Sequence, residues 1–155
     1  MRSYTISFES VAVAAAQDLV QITGAAGKIV RVKRVTADAT DTTLPTAQLV
    51  AFRCRRLSAA VTNGSGGSTP AIVADDPGDA AASLTALANN TTKATTSGTA
   101  VVLMERGGHL YNGLDHPFSK PKPIGPGEAF VFELLSTPSG TVHLSGTVEV
   151  EEEGG

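Results

Sequence analysis

Residues 141–151 read TVHLSGTVEVE. In this stretch Val142, Leu144, Gly146, Val148 and Val150 fall on one side, and Thr141, His143, Ser145, Thr147, Glu149 and Glu151 on the other. A period of two held this long is the signature of a β-strand with one buried and one wet face. The N-terminus repeats it, with Tyr4, Ile6 and Phe8 alternating with Ser3, Thr5 and Ser7. Between these ends, strands are predicted near 18–23, 28–38, 47–58, 99–106 and 128–136, with weaker candidates at 70–74 and 109–112. Within 28–38, Val30 and Val32 are in one phase and Val35 and Ala37 in the other, so a β-bulge near Lys33 and Arg34 is needed to turn all four to the core. The stretch IGPGE at 124–128 is a tight turn feeding Phe130, Phe132 and Leu134.

Two segments are harder to place. The stretch 63–69 (NGSGGST) reads as a flexible loop tip. Residues 80–88 fit a short helix capped by Asp79, and fit equally a strand with Ala82, Leu84, Ala86 and Ala88 on one side. Roughly seven to nine short strands with turns between them and no βαβ rhythm make this an all-β chain. The expected architecture is a single antiparallel β-sandwich domain over 1–155, of jelly-roll or Greek-key type, with long Gly/Ser/Thr-rich loops. Residues 149–155 are expected to form a peripheral acidic tail.

Composition narrows the function. The net charge of −3 is too mild to imply a nucleic-acid partner, and no apolar run approaches the ~20 residues of a membrane helix. Cys54 is the only cysteine, which excludes an intrachain disulfide and any multi-cysteine metal site. The first residues alternate instead of forming an unbroken apolar stretch, so no secretory signal is read and the product is expected to stay in the cytoplasm where it is made.

No constellation of side chains points to chemistry. His109, His116 and His143 lack the close spacing of metal ligands on a strand. Cys54 is in phase with Val50 and Phe52 and reads as core. The Gly-rich loop lacks the Lys of a phosphate cradle, and Asp75, Asp76 and Asp79 suit a turn better than a calcium loop. No catalytic, metal or cofactor site is therefore expected.

The basic residues carry more information. Arg31, Lys33, Arg34, Arg53, Arg55 and Arg56 are six of the twelve Lys and Arg, and all fall in two predicted strands. If those strands adjoin, their outward positions make one basic patch, a candidate subunit contact for an acidic surface. Few aromatics interleave with it, so base stacking is not supported. Glu149, Glu151, Glu152 and Glu153 would meet such a patch on a neighbour or remain a solvated tail.

The ordered set SFESVAV, AAQDLVQI, GAAGKIVRVKRV, NGSGGS, ANNTT, SGTAVVL, IGPGEAFVFELL and LSGTVEVEE covers nearly the whole chain. It resembles the small virion proteins of tailed phages and prophages. The resemblance implies a jelly-roll-like sandwich acting as a capsid decoration or cement subunit, in symmetric homo-oligomeric clusters on the major capsid protein. A neck or tail component is the alternative it leaves open. A carbohydrate-binding sandwich would be expected to present aromatic platforms, whereas this chain has no Trp and only Tyr4 and Tyr111.

Overall fold

The computed structural model describes residues 1–58 and 60–154. In chain order the described strands are β1 (Arg2–Val13), β2 (Asp18–Thr23), β3 (Ile29–Ala39), β4 (Leu49–Leu57), β5 (Val61–Thr62), β6 (Ile72–Ala74), β7 (Thr85–Asn90), β8 (Thr95–Thr96), β9 (Ala100–His109), β10 (Leu114–Ile124), β11 (Ala129–Leu134) and β12 (Val142–Glu153). The one helical element among the described residues is a 3-10 turn at Leu110–Asn112. No helix among these residues is long and apolar enough to cross a membrane.

The alternating ends of the chain find each other. β1 pairs antiparallel with β12, Tyr4 opposite Val150 and Ile6 opposite Val148, so both apolar sets face the same way. The same nesting continues inward, as β2 pairs with β11, β3 with β10 and β4 with β9. This long hairpin ribbon is rolled into two five-stranded sheets, ordered β10-β3-β12-β1-β6 and β7-β2-β11-β4-β9. Removing β6 and β7 leaves eight strands that alternate between sheets except at the β4–β9 step, which is the jelly-roll order. Between the sheets lies one apolar core, where Phe132 sits 6.5 Å from the Phe8 ring across the sandwich and 5.8 Å from the Phe52 ring beside it.

The bulge forms where the apolar phase requires it. Glu149 pairs with Arg34 and Val150 with Val32, so Lys33 is skipped, and Val30, Val32, Val35 and Ala37 are all fully buried. Cys54 is buried in the same core.

Residues 60–99, before β9, leave the ribbon. They supply β6 to the edge of the first sheet and β7 to the edge of the second. The β5–β8 pair lies against the outer face of the second sheet, where Leu57, Ala94, Ala129 and Val131 form a second small cluster with Val61 packed on it. Every residue of β11 is consequently buried, on both faces.

Five points that the sequence left open, missed or read otherwise are settled by the tertiary structure. Of the two options for 80–88, the strand forms: Ala86 and Ala88 pair with Ile22 and Val20 and are buried in the core, which a lone short helix at this edge would not achieve. Residues 109–112 form the 3-10 turn instead of a strand. β10 was hidden by Pro117, Pro121 and Pro123, which are tolerated because the strand lies at a sheet edge.

The 63–69 loop is pinned instead of free. Ser68 and Ala88 exchange both backbone hydrogen bonds (2.9 and 2.8 Å), and a Cβ on Gly67 would lie 2.0 Å from the Ala88 carbonyl oxygen. Glycine is needed there for close approach of two backbones. The acidic tail is also corrected. Residues 149–153 continue β12, the central strand of the first sheet, because both β1 and β3 extend far enough to pair with them; Gly155 lies outside the described residues.

Cutting Phe132 to Ala should lower stability by about 3–5 kcal/mol, because it empties the centre of the inter-sheet contact. Urea unfolding followed by circular dichroism measures it, and a loss below ~1 kcal/mol would contradict the assigned core.

Candidate functional site

The two groups of basic residues lie on different sheets. β3 belongs to the first and β4 to the second, and their polar positions look outward on opposite sides of the sandwich. A single basic patch therefore does not form, since the strands that carry the charge are not neighbours.

On the first sheet the cations of β3 face the anions of β12. Arg31 Nη2 is 2.8 Å from Glu153 Oε2, Lys33 Nζ 3.1 Å from Glu151 Oε1, and Arg34 Nη1 3.7 Å from Glu149 Oε1. Arg34 also forks onto Asp115 of β10, donating from Nε and Nη2 at 2.8 and 2.6 Å. That fork holds the Asp115 carboxyl below its usual range. The acidic run is thus the partner of the chain's own β3, through the cross-strand pairing of opposite charges. Glu152 points the other way and is buried, accepting from the backbone N–H of Ser83 and Leu84 at 3.0 and 2.9 Å.

On the second sheet Glu133 is the centre. It is fully buried under the 60–99 segment and faces three cations. Arg53 Nε donates to Oε1 at 2.5 Å, Arg55 Nη2 to Oε2 at 3.2 Å and Lys93 Nζ to Oε2 at 3.0 Å. Arg55 Nε lies 3.0 Å from Oε1 as an ion-pair contact without hydrogen-bond geometry. Arg56, at the strand end, reaches across to the Pro123 carbonyl at 3.4 Å. Arg53 and Arg55 are thus occupied in neutralising a buried carboxylate. Phase in the sequence held a clue: Ala129 and Val131 share Glu133's side of β11, so that side must be covered, and a charge there needs partners.

Asp18 lies beside this centre. Its Oδ2 accepts from the Ala94 N–H at 2.6 Å, while Oδ1 is buried without a partner among the described residues, as is Nδ2 of Asn90 on the paired strand. Burial raises the Asp18 carboxyl to about 6, and the nearby charge of Glu133 adds to the rise. Gln21 extends the same polar seam, with its Oε1 accepting from the Gly64 N–H at 3.0 Å and its Nε2 donating to Asn63 at 2.6 Å.

The three histidines are scattered. His143 contacts Asp41 at 2.7 Å; burial pushes the Asp41 carboxyl up, but hydrogen bonds from His143 outweigh that and leave it lowered. His116 stacks edge-on to Phe118 at 4.8 Å, and burial followed by the charges of Arg106 and Lys122 lowers its pKa. His109 Nδ1 accepts from the Tyr111 N–H at 3.3 Å. Burial raises the Cys54 thiol well above its usual range. Among the described residues no three or more His, Cys, Asp or Glu side chains gather as a metal site. Asp75, Asp76 and Asp79 serve the turn, where Asp76 Oδ1 accepts from Gly78 N–H at 2.9 Å and Asp75 Oδ1 from the Thr5 hydroxyl at 2.8 Å.

With the charges matched inside the molecule, the sheet edges and the exposed apolar residues stand out. β10 is guarded by its prolines and by Lys120 and Lys122, β6 has three residues, and β7 is capped by the Ser68–Ala88 bonds. β9 is the fourth edge, ten residues long (AVVLMERGGH), with neither Pro nor Lys. Val101 and Val102 on it are 38% and 51% exposed. At its C-terminal end stand Leu44, Leu49 and Tyr111, exposed by 89%, 77% and 45%. Backbone bonding of Leu110 to Gln48 (2.9 Å) and the Tyr111 hydroxyl on the Pro45 carbonyl hold these residues at one rim.

The chain matches no protein-family model, no curated protein and no solved structure.

Two outcomes are expected at the buried charges. Glu133→Gln should cost about 3–5 kcal/mol in urea unfolding, because it leaves three cations facing a neutral group; a loss under ~1 kcal/mol would mean that solvent screens them. Asp18 has a folded pKa of about 6 against an ordinary value of 3.8, so between these the folded state holds the extra proton. Its contribution is fully present below ~4 and is lost as pH rises through about 6, on the order of 2–3 kcal/mol. Subtracting the stability profile of Asp18→Asn from that of the wild type isolates this slope, because His116 and the lowered carboxyls are common to both proteins.

Proposed function

We propose that this chain is a non-enzymatic structural subunit of a tailed-phage virion, binding the capsid lattice as a decoration or cement protein and acting through contacts with other virion subunits. The observation that carries this reading is the rim of Leu44, Leu49 and Tyr111 continuous with the open β9 edge, on a sandwich whose charged faces are paired within the chain. An exposed apolar rim bounded by polar surface suits contact with another macromolecule. The jelly-roll topology also serves many unrelated activities, so the surface carries the reading and not the fold. Stability without a disulfide suits assembly in a reducing cytoplasm.

Virion localisation, the major capsid protein as partner and homo-oligomeric clustering all belong to this proposal. The neck or tail position is its near alternative, and copy number separates the two. Quantitative mass spectrometry of purified particles is expected to find hundreds of copies; a few to a dozen would place the chain in a neck or tail ring, and none would overturn the virion reading. Leu44→Asp with Leu49→Asp should lower occupancy on particles while leaving the urea midpoint of the free protein unchanged, since both side chains are already in water.

A further inference from the structure

The β9 edge has a property beyond being open. Its exposed valines lie towards one end and its two glycines, Gly107 and Gly108, at the other. Nothing within the chain requires those glycines: neither has a positive φ, a Cβ on Gly108 would meet no atom within 4 Å, and one on Gly107 would make only ordinary contact, 3.5 Å from the Val50 carbonyl. What they leave is space on both sides of the strand. A cleft of about 440 Å³ lined by Leu49, Ala51, Ser136 and both glycines opens on the outer side. A second of about 270 Å³, lined by Phe52, Arg106, Leu114 and again both glycines, opens towards the first sheet.

The register of β9 on β4 shows which residues look which way. Arg55 pairs with Val102 and Ala51 with Gly107, so Val102 and Gly107 share the outer side. Val101 and Gly108 share the other, as partners of Arg56 and Val50. The bulge at Leu103 is what places residues five and seven apart on the same side. When β9 meets a second β9 antiparallel over its whole length, Ala100 stands opposite His109 of the other copy. Val102 then stands opposite Gly107 and Val101 opposite Gly108, each pair on a common side. The full-length register is thus the one that sets each exposed valine over a glycine gap.

We infer that β9 is a two-fold contact between copies of this chain, joining two second sheets edge to edge through Val101 and Val102 of each copy against Gly107 and Gly108 of the other. Charge constrains it. Glu105 lies on the outer side as the partner of Arg53 and Arg106 on the other as the partner of Phe52, so the two-fold brings two glutamates together on one side and two arginines on the other, each Glu105 standing beside Arg53 of its own chain. The area sets its strength. Ten residues at about 3.4 Å each, across a sheet depth of about 10 Å, bury roughly 340 Å² per copy. Leu49 and Tyr111, which adjoin the His109 end, add to this, and the total falls at the weak end of specific interfaces, which centre near ~800 Å² per partner. The contact is therefore reversible in solution. It occupies the β9 edge and shares Leu49 and Tyr111 with the rim that carries the virion reading, but sedimentation of the free chain and occupancy on particles test the two separately.

Sedimentation of the wild-type protein from roughly 10 µM to 1 mM tests it. A monomer–dimer equilibrium is expected, and Val101→Lys with Val102→Lys, or Gly108→Leu alone, should each weaken it at least about tenfold with an unchanged melting temperature. For the register, Val102→Cys mixed with Gly107→Cys should cross-link far faster than either variant alone, Cys54 being buried and silent. A wild type that stays monomeric throughout would overturn the contact. So would dimers that persist at wild-type strength in both sets of variants, or cross-linking without preference for the mixed pair.

Discussion

The carboxylate of Glu133 sits on the face of β11 that a simple two-layer sandwich would leave in water, and its burial governs much of the rest. A charge taken out of water must be matched or it destabilises the fold. Arg53 and Arg55 match it from the neighbouring strand, and Lys93 from the segment that covers it. The same segment brings the Ala94 N–H to Asp18 and the Gly64 N–H to Gln21. A long excursion out of the jelly roll is thereby fixed to the second sheet by polar contacts around a small apolar cluster. With β11 covered on both faces, the second sheet presents little free surface except at the β9 side.

The first sheet solves a different problem. Its outer face stays in water, and there β3 and β12 hold opposite charges in register. Exposed pairs of this kind each contribute little to stability. They do fix which strand pairs with which, because a slip of one residue would send the charges to the core side. The charges of β3 and β12 and that of Glu133 are therefore matched internally, and association with other molecules is left mainly to backbone edges and apolar side chains.

Three edges are closed by three separate means: prolines and lysines on β10, shortness in β6 and a bridging loop on β7. Edge pairing is the common hazard of open sheets, and a protein that blocks it three times and leaves one long edge without Pro or Lys has an asymmetry in its surface. The glycines of β9 sharpen the asymmetry, since neither backbone conformation nor packing accounts for them.

Strand periodicity alone was enough to identify the all-β class, the positions of β1, β2, β3, β4, β9, β11 and β12, the core role of Cys54 and the bulge at Lys33, because side-chain alternation is a local consequence of the extended backbone. The sequence also showed that half the basic charge lies in two strands, but not that these strands belong to opposite faces. Sheet membership is decided by how the ribbon rolls, through contacts between residues far apart in the chain. For the same reason the loop 63–69 read as free and 149–153 as a tail: composition describes a segment in isolation, while Ala88 and Thr92, or β1 and β3, supply partners that only the folded chain brings near. β10 was illegible because proline argues against a strand interior, and whether a strand is interior or edge is a property of the sheet and not of the strand.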